Sequence, residues 1–262
     1  MARRFPSARY VLGDVRDHDA LCRAAVGYDA IVHAAALKRV PQGEANPAEF
    51  VSTNIGGARN VIAAAQAAGV GKVLALSSDK AVNPATLYGA TKMVAERLCQ
   101  WGNADTPGVA FSSVRYGNVL GSRGSVVELW REQAKAGTIT ITDPQATRFW
   151  LTLPQGVAFV LSCLDTMQGG EIFVPKVPSS TVAELASGVA PGAAWNIVGL
   201  RVGEKMHEVL VGEDEALYAE DAGDRYIIRP GDKPTYGRWC YDSESNPQRI
   251  GAAELLVLLE NT

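Results

Sequence analysis

The stretch that decides the fold is residues 73–114, VLALSSDKAVNPATLYGATKMVAERLCQWGNADTPGVAFSSV. Its pattern predicts a buried strand over 73–76, a long helix over 87–102 and a second strand over 109–114. Short apolar strands separated by helices are typical of a parallel sheet that is covered on both faces. The stretch therefore predicts an α/β protein.

The same alternation continues on both sides of this stretch. We expect further strands at 10–12, 30–33, 138–142, 172–174 and 195–198, and helices at 17–26, 46–68, 128–135, 154–167, 182–187 and 252–259. Residues 221–247 are rich in Gly, Pro, Asp and Arg and are predicted to form loops with little core. The prediction is a Rossmann-like, doubly wound parallel sheet followed by a smaller C-terminal substrate-binding cap. We assign residues 1–120, joined by 148–176, to the dinucleotide-binding domain, and 121–262 to the substrate-binding region.

The glycine turn that opens most dinucleotide-binding folds has no match in residues 1–30. Gly117, Gly121 and Gly124 follow a predicted strand, but their spacing differs from that of the G-x-G-x-x-G turn. We therefore predict that they form a substrate-facing loop, and that the sheet lacks its first strand and glycine turn.

Composition excludes several classes of function. The net charge is −3 and no basic stripe occurs, so no nucleic-acid partner is expected. The four cysteines and three histidines show no metal-ligand spacing, so no metal is expected. The longest apolar stretch, 61–70, is too short to span a bilayer, so no membrane association and a cytoplasmic location are expected.

Candidate catalytic residues follow the central predicted strand. Ser78, Asp79 and Lys80 stand at its carboxyl end, which is where ligands bind in doubly wound sheets. Tyr88 and Lys92 are four residues apart and share one face of the next helix. An ammonium beside a phenol stabilises the phenolate, so we expect Lys92 to lower the pKa of Tyr88 and make it a base.

This Ser, Tyr, Lys set resembles the catalytic set of the short-chain dehydrogenases and reductases, and the contexts of Asp14 and Asn54 resemble the extended branch of that family. Longer motifs are more specific, and they occur at 33–41, 77–84, 115–125, 147–150, 170–176, 201–205 and 241–247. Together they resemble the inverting UDP-N-acetylglucosamine 4,6-dehydratases of the pseudaminic acid pathway, which are polysaccharide biosynthesis proteins. The resemblance covers nearly the whole chain.

The resemblance implies a tightly bound, recycled NAD(P) cofactor and UDP-N-acetylglucosamine or a related UDP-sugar as substrate. It implies that Tyr88 takes the proton of the 4-hydroxyl, Lys80 removes the C5 proton, Asp79 protonates the departing 6-hydroxyl and Ser78 holds the 4-oxygen. The implied cofactor contacts are Asp14, Val15, Ala34, Ala35, Asn54, Tyr88 and Lys92. The implied substrate contacts are Lys38, Asn118, Arg148, Arg201 and Glu204. A homo-oligomer is also implied.

Two other functions remain open at this point. An NAD-dependent UDP-sugar 4-epimerase uses Ser78, Tyr88 and Lys92 but does not need Asp79 and Lys80. A non-catalytic remnant that binds a UDP-sugar is the third possibility, supported by the absent glycine turn. Relatives carry about two further strand–helix units ahead of the position of residue 13. A late-called start codon, a fragment or a degraded gene would each account for their absence from this sequence.

Overall fold

The computed structural model describes residues 5–122, 124–231, 234 and 236–260. Its central sheet has six strands in the order β1-β2-β3-β7-β12-β11. The strands are β1 (Ala30–His33), β2 (Lys72–Ser78), β3 (Ala110–Tyr116), β4 (Asn118–Val119), β5 (Thr138–Ile141), β6 (Thr147–Leu151), β7 (Ile172–Pro175), β8 (Ser179–Thr181), β9 (Ala194–Ile197), β10 (Val209–Val211), β11 (Ala219–Asp221), β12 (Arg225–Ile228) and β13 (Tyr241–Asp242). The first four strands of the sheet are parallel, and β12 and β11 extend it antiparallel.

Helices cover both faces of this sheet. They are α1 (His18–Ala25), α2 (Val40–Ala45), α3 (Pro47–Phe50), α4 (Gly57–Ala68), α5 (Leu87–Asp105), α6 (Val126–Ala134), α7 (Leu153–Thr166), α8 (Val182–Val189), α9 (Glu213–Ala216) and α10 (Ala252–Glu260), with a π-helix at Val51–Gly56 and a 3₁₀ turn at Asp79–Ala81. Alternate residues of a strand point to opposite faces. Val73 and Ala75 of β2 accordingly pack with α4 and α5, whereas Leu74 packs with α7. The carboxyl end of β2 is thereby held between two apolar layers.

The smaller lobe packs over the carboxyl ends of the parallel strands. Its main core joins α6, α8 and α10 to β5 and β6, around Trp130 and Trp150, and β9 pairs with β5. A second core, which includes Phe149 and Tyr241, connects this lobe to β7 and β12 of the central sheet. The cleft between the sheet and the smaller lobe is therefore built on continuous apolar packing.

The fold class predicted from the sequence is confirmed, but two local predictions are wrong. Residues 10–12 form no strand, and the side chains of Tyr10, Val11 and Leu12 are exposed. A strand requires a hydrogen-bonded neighbour. In the described part of the chain β1 is an edge strand that pairs with β2, and residues 10–12 pair with neither. The loop predicted over 221–247 contains β12 and β13, with Ile228 and Tyr241 buried. The division into domains stays a prediction.

The helices of the described residues include none that is both long enough and apolar enough to cross a membrane.

Candidate functional site

Two adjoining cavities lie at the carboxyl end of the parallel strands. The first has a volume of about 460 Å³ and is lined by Ser78, Tyr88 and Lys92 among others. The second has a volume of about 430 Å³ and is lined by Arg148, Arg201 and Glu204 among others. Lys80 and Asn118 line both cavities. These volumes lie within the range of small-molecule sites, which is about 300–1,000 Å³.

The end of β2 brings three of the predicted catalytic side chains into one hydrogen-bonded chain. Ser78 Oγ donates to Asp79 Oδ1 at 2.6 Å, and Lys80 Nζ donates to Asp79 Oδ2 at 3.0 Å. Ser78 Oγ also accepts from the Lys80 backbone N–H, which caps the 3₁₀ turn and directs both charged side chains. Both oxygens of Asp79 therefore accept hydrogen bonds, one from Ser78 and one from Lys80.

Tyr88 and Lys92 both line the first cavity, but the pKa of Tyr88 is raised and not lowered as we predicted. Burial and the nearby Asp79 carboxylate raise the pKa of Tyr88, and Ser78 and Lys80 act in the opposite direction. The Lys92 ammonium instead donates to the carbonyl of Leu76 in β2. Burial lowers the pKa of Lys92 itself. The cation that favours the Tyr88 phenolate in this structure is therefore Lys80.

Sequence reasoning missed one carboxylate of the site. Glu208 is 1% exposed, and its Oε1 accepts from Lys80 Nζ at 2.8 Å. Glu208 belongs to the smaller lobe, 128 residues from Lys80 along the chain. Its only signal in the sequence is its position just after the 201–205 motif.

The second cavity contains the predicted phosphate and ribose contacts. Arg148 is buried, and its guanidinium donates to Glu204 Oε1 at 2.9 Å and to the carbonyl of Met206 at 3.0 Å. Arg201 is exposed at the rim. The remaining predicted substrate contact, Lys38, is an exposed residue that lines the first cavity.

The predicted cofactor contacts are only partly brought together. Ala34 lines the first cavity, whereas Asp14, Val15, Ala35 and Asn54 line neither cavity. Asn54 is buried in the π-helix, exchanges hydrogen bonds with the backbone of Leu37 at 2.8 and 2.9 Å and donates to Thr91 Oγ1 at 2.9 Å. It thereby fixes the segment after β1 against α5.

Asp14 and Val15 lie on the segment that precedes α1. Asp14 is exposed, and its hydrogen bonds to Arg16 lower its pKa to about 2. Val15 packs so closely on α4 that a Cβ at Gly57 would lie 2.7 Å from its methyl carbon. His33 of β1 is buried, and burial together with the charge of Lys92 lowers its pKa to about 4.

Among the residues that the structure describes, no group of three His, Cys, Asp or Glu side chains is placed to hold a metal ion. Arg123, which belongs to the 115–125 motif, lies outside the described residues.

The parallel sheet, with a cleft at its carboxyl edge that holds Ser, Tyr and Lys side chains, defines a Rossmann-type α/β protein of the extended short-chain dehydrogenase class. The family model described as "Polysaccharide biosynthesis protein" matches residues 3–230. The chain belongs to this family.

Curated relatives include two kinds of enzyme. The inverting UDP-N-acetylglucosamine 4,6-dehydratase of Campylobacter jejuni is 42% identical over 277 residues, which cover 97% of this chain and 83% of that protein. The UDP-glucose 4-epimerase of Rickettsia canadensis is 39% identical over 273 residues, which cover 97% of this chain and 80% of that protein. The resemblance found in the sequence is confirmed.

Solved structures agree with this placement. Pen from Bacillus thuringiensis has a TM-score of 0.92 at 37% identity, covering 100% of this chain and 84% of that chain. DesIV, a dTDP-glucose 4,6-dehydratase from Streptomyces venezuelae solved with NAD and TYD bound, has a TM-score of 0.71 at 25% identity, covering 78% of this chain and 70% of that chain.

Proposed function

We propose that this chain dehydrates UDP-N-acetylglucosamine to a UDP-4-keto-6-deoxy-hexosamine with inversion at C5, using a tightly bound and recycled NAD(P). The observation that carries the proposal is the hydrogen-bonded chain Ser78–Asp79–Lys80 in the same cavity as Tyr88. A 4-epimerase does not need the acid and base that Asp79 and Lys80 supply. The similarity to the Campylobacter jejuni dehydratase supports the same assignment.

The first cavity offers a hydrogen-bond donor that suits the hydroxyls of a nicotinamide ribose. Lys92 is buried there and uses one of its three N–H donors on the Leu76 carbonyl, so it can also donate to ribose hydroxyls. The segment after β1, which includes Ala34 and Ala36, forms the adjoining wall. When bound, a nicotinamide would supply reversible hydride transfer, which is the oxidation at C4 and the later reduction at C6 that this reaction needs.

The side chains of the cavity supply the proton transfers. Tyr88 accepts the proton of the 4-hydroxyl, and Ser78 orients the 4-oxygen. Oxidation at C4 acidifies the C5 proton, which Lys80 removes and passes to Asp79 through their hydrogen bond, and Asp79 then delivers it to the departing 6-hydroxyl. Reprotonation of C5 on the opposite face gives the inverted product.

The second cavity fits the UDP group. Arginine binds phosphate oxygens in a bidentate manner, and Arg148 and Arg201 both line this cavity. Glu204 accepts from Arg148, and the proposal gives it the contact to the ribose. The proposal includes a cytoplasmic location, a homo-oligomeric assembly and a role in cell-surface or flagellar glycan precursor synthesis. A membrane or nucleic-acid partner is not part of it.

The test is the mass of UDP-N-acetylglucosamine after incubation with the protein and NAD. We expect the sugar to lose one water. Lys80→Ala should slow the loss of water by about 100-fold or more, because general bases contribute factors of about 10² to 10⁴, while reduction of the bound nicotinamide remains detectable. The matched control is Lys135→Ala, which should be fully active. Lys135 is an exposed lysine at the C-terminal end of α6.

Three outcomes would contradict the proposal. Full dehydration by Lys80→Ala would remove Lys80 from the mechanism. A sugar isomer of equal mass would favour the 4-epimerase, for which the Rickettsia canadensis relative is the supporting observation. A substrate that binds but stays unchanged would favour the non-catalytic UDP-sugar-binding protein.

A further inference from the structure

Glu208 is the most unusual charged group of the cleft. Its side chain is almost fully buried, and its Oε2 has no hydrogen-bond partner within the described residues. A buried polar atom without a partner is costly, by about 1–3 kcal/mol. The backbone N–H of Glu208 donates to Ser243 Oγ at 2.9 Å, which fixes the position of the residue. Such a placement needs a functional reason.

Lys80 lies between two carboxylates from different parts of the fold. Asp79, on its own turn, is 3.0 Å from Nζ, and Glu208, from the smaller lobe, is 2.8 Å away. The other charged or titratable groups facing this cluster are Arg148, Lys205 and Tyr88. Burial alone would lower the pKa of Lys80, but the two carboxylates outweigh it and raise the pKa.

A raised pKa conflicts with the role of Lys80 as a base, because only the neutral amine can remove the C5 proton. The cluster of Lys80, Asp79 and Glu208 carries one excess negative charge in its resting form. Moving one proton from Nζ to Glu208 Oε1 frees the amine without changing that total charge. The 2.8 Å separation allows this transfer directly.

We propose that Glu208 is a positioning residue for Lys80, which holds Nζ beside Asp79 and accepts the ammonium proton so that Lys80 can act as the base. This inference rests on the dehydratase function proposed above. In the first step an N–H bond of Lys80 breaks and an O–H bond forms on Glu208. The neutral amine then takes the C5 proton, passes a proton to Asp79, and Asp79 gives it to the 6-hydroxyl, which leaves as water. Lys80 is again neutral, and Glu208 has kept its proton.

The first experiment measures the Lys80–Glu208 pair without requiring turnover. Competitive acylation of the full-length protein across a pH series, read by mass spectrometry at Lys80, reports the pH at which the amine becomes neutral. Glu208→Gln should move this midpoint down by about one to three pH units, because an opposite charge at this distance shifts a pKa by that amount. Glu244→Gln is the matched control. Glu244 is an exposed carboxylate that lies 3.6 Å from Nε2 of His207, and the midpoint should stay unchanged.

The second experiment measures C5 exchange during turnover. Wild-type enzyme in D₂O should incorporate deuterium at C5 at a rate that changes little near neutral pH, because the proton moves within the cluster. Glu208→Gln should be slower by about 100-fold near neutral pH. Its rate should rise about tenfold per pH unit, because Lys80 must then release its proton to solvent.

The outcomes separate the two proposals. An unchanged acylation midpoint in Glu208→Gln would overturn the role of Glu208, even if the wild type is an active dehydratase. If Glu208→Gln shows the expected midpoint shift but the wild type shows neither C5 exchange nor loss of water, the dehydratase function alone would be overturned. If Glu208→Gln does not fold, Glu208→Asp keeps the carboxylate. This variant should be slower but retain the flat pH profile, and a sloping profile would refute the proton transfer.

Discussion

Gly89 is the glycine of α5 that lies closest to the 3₁₀ turn Asp79–Ala81. It lies between Tyr88 and Lys92 on α5, and a Cβ added there would lie 2.2 Å from the carbonyl oxygen of Lys80 and 3.0 Å from Pro84 Cβ. Ordinary van der Waals contact begins at 3.4 Å, so Gly89→Ala must separate the helix from the turn by about 1.2 Å. The obstructing atom is backbone, which cannot swing away as a flexible side chain can.

Two opposing terms set the stability of this variant. Overpacking costs about 1–3 kcal/mol, whereas alanine is favoured over glycine inside a helix by about 1 kcal/mol. We therefore expect a modest net destabilisation of up to about 2 kcal/mol. Catalysis should suffer more, because a misplacement of about 1 Å can reduce a rate about 100-fold.

The assay for this prediction combines urea unfolding, followed by circular dichroism, with the rate of water loss from UDP-N-acetylglucosamine. Gly102→Ala, on the same helix, is the control. Its Cβ would meet the methyl carbon of Ile62 at 3.3 Å, so we expect stability to be equal or higher and the rate unchanged. Wild-type turnover in Gly89→Ala would refute the argument that the contact between α5 and the turn places Lys80.

Two further predictions concern buried titratable side chains that do not line the cavities. The pKa of His33 is about 4 in the fold and 6.5 ordinarily, so the neutral form contributes stability that is present above pH 6.5 and lost as pH falls towards 4. Between pH 8 and pH 5 the wild type should lose about 2 kcal/mol from this group, and urea unfolding of His33→Met should lack that part of the loss. Arg115 is buried between Glu96 and Glu215 at 2.7 Å from each. Arg115→Met should destabilise by about 3–5 kcal/mol, because it leaves buried carboxylates unpaired. If Arg115→Met with Glu96→Gln recovers none of this loss in the same urea assay, the explanation fails.

The central fold could be predicted because patterns within short stretches of the sequence determine its strands and helices. In β2, apolar residues pack on both faces of the sheet, and the helix that follows carries Tyr88 and Lys92 at a spacing that places them on one face. Ser78, Asp79 and Lys80 could be placed because the ends of parallel strands form the ligand edge. Residues 225–228 were not recognised as a strand because they are few and lie among polar residues and glycines. They are held by antiparallel pairing with β7, which is a long-range contact, and Ile228 is buried there.

The electrostatics of the site were less predictable than its composition. Spacing along α5 brings Lys92 near the cavity, but the direction of its ammonium is set by the Leu76 carbonyl, which no local pattern reveals. Glu208 reaches Lys80 only because the smaller lobe folds over the end of β2. Sequence reasoning thus identified the catalytic side chains as candidates but not the charges that set their protonation.

The stretch 203–208 connects the second cavity to residues 80–86 at three points. Lys205 Nζ donates to the carbonyl of Val82 at 2.6 Å, Gly203 lies close enough to Thr86 and Ala85 that any Cβ would collide with them, and Glu208 holds Lys80. The same stretch carries Glu204, which binds the guanidinium of Arg148. Phosphate oxygens bound at Arg148 would therefore act on the residues that also fix Lys80. In the function proposed above, this physical connection would let the UDP group, which takes no part in the chemistry, contribute binding free energy to the placement of the base.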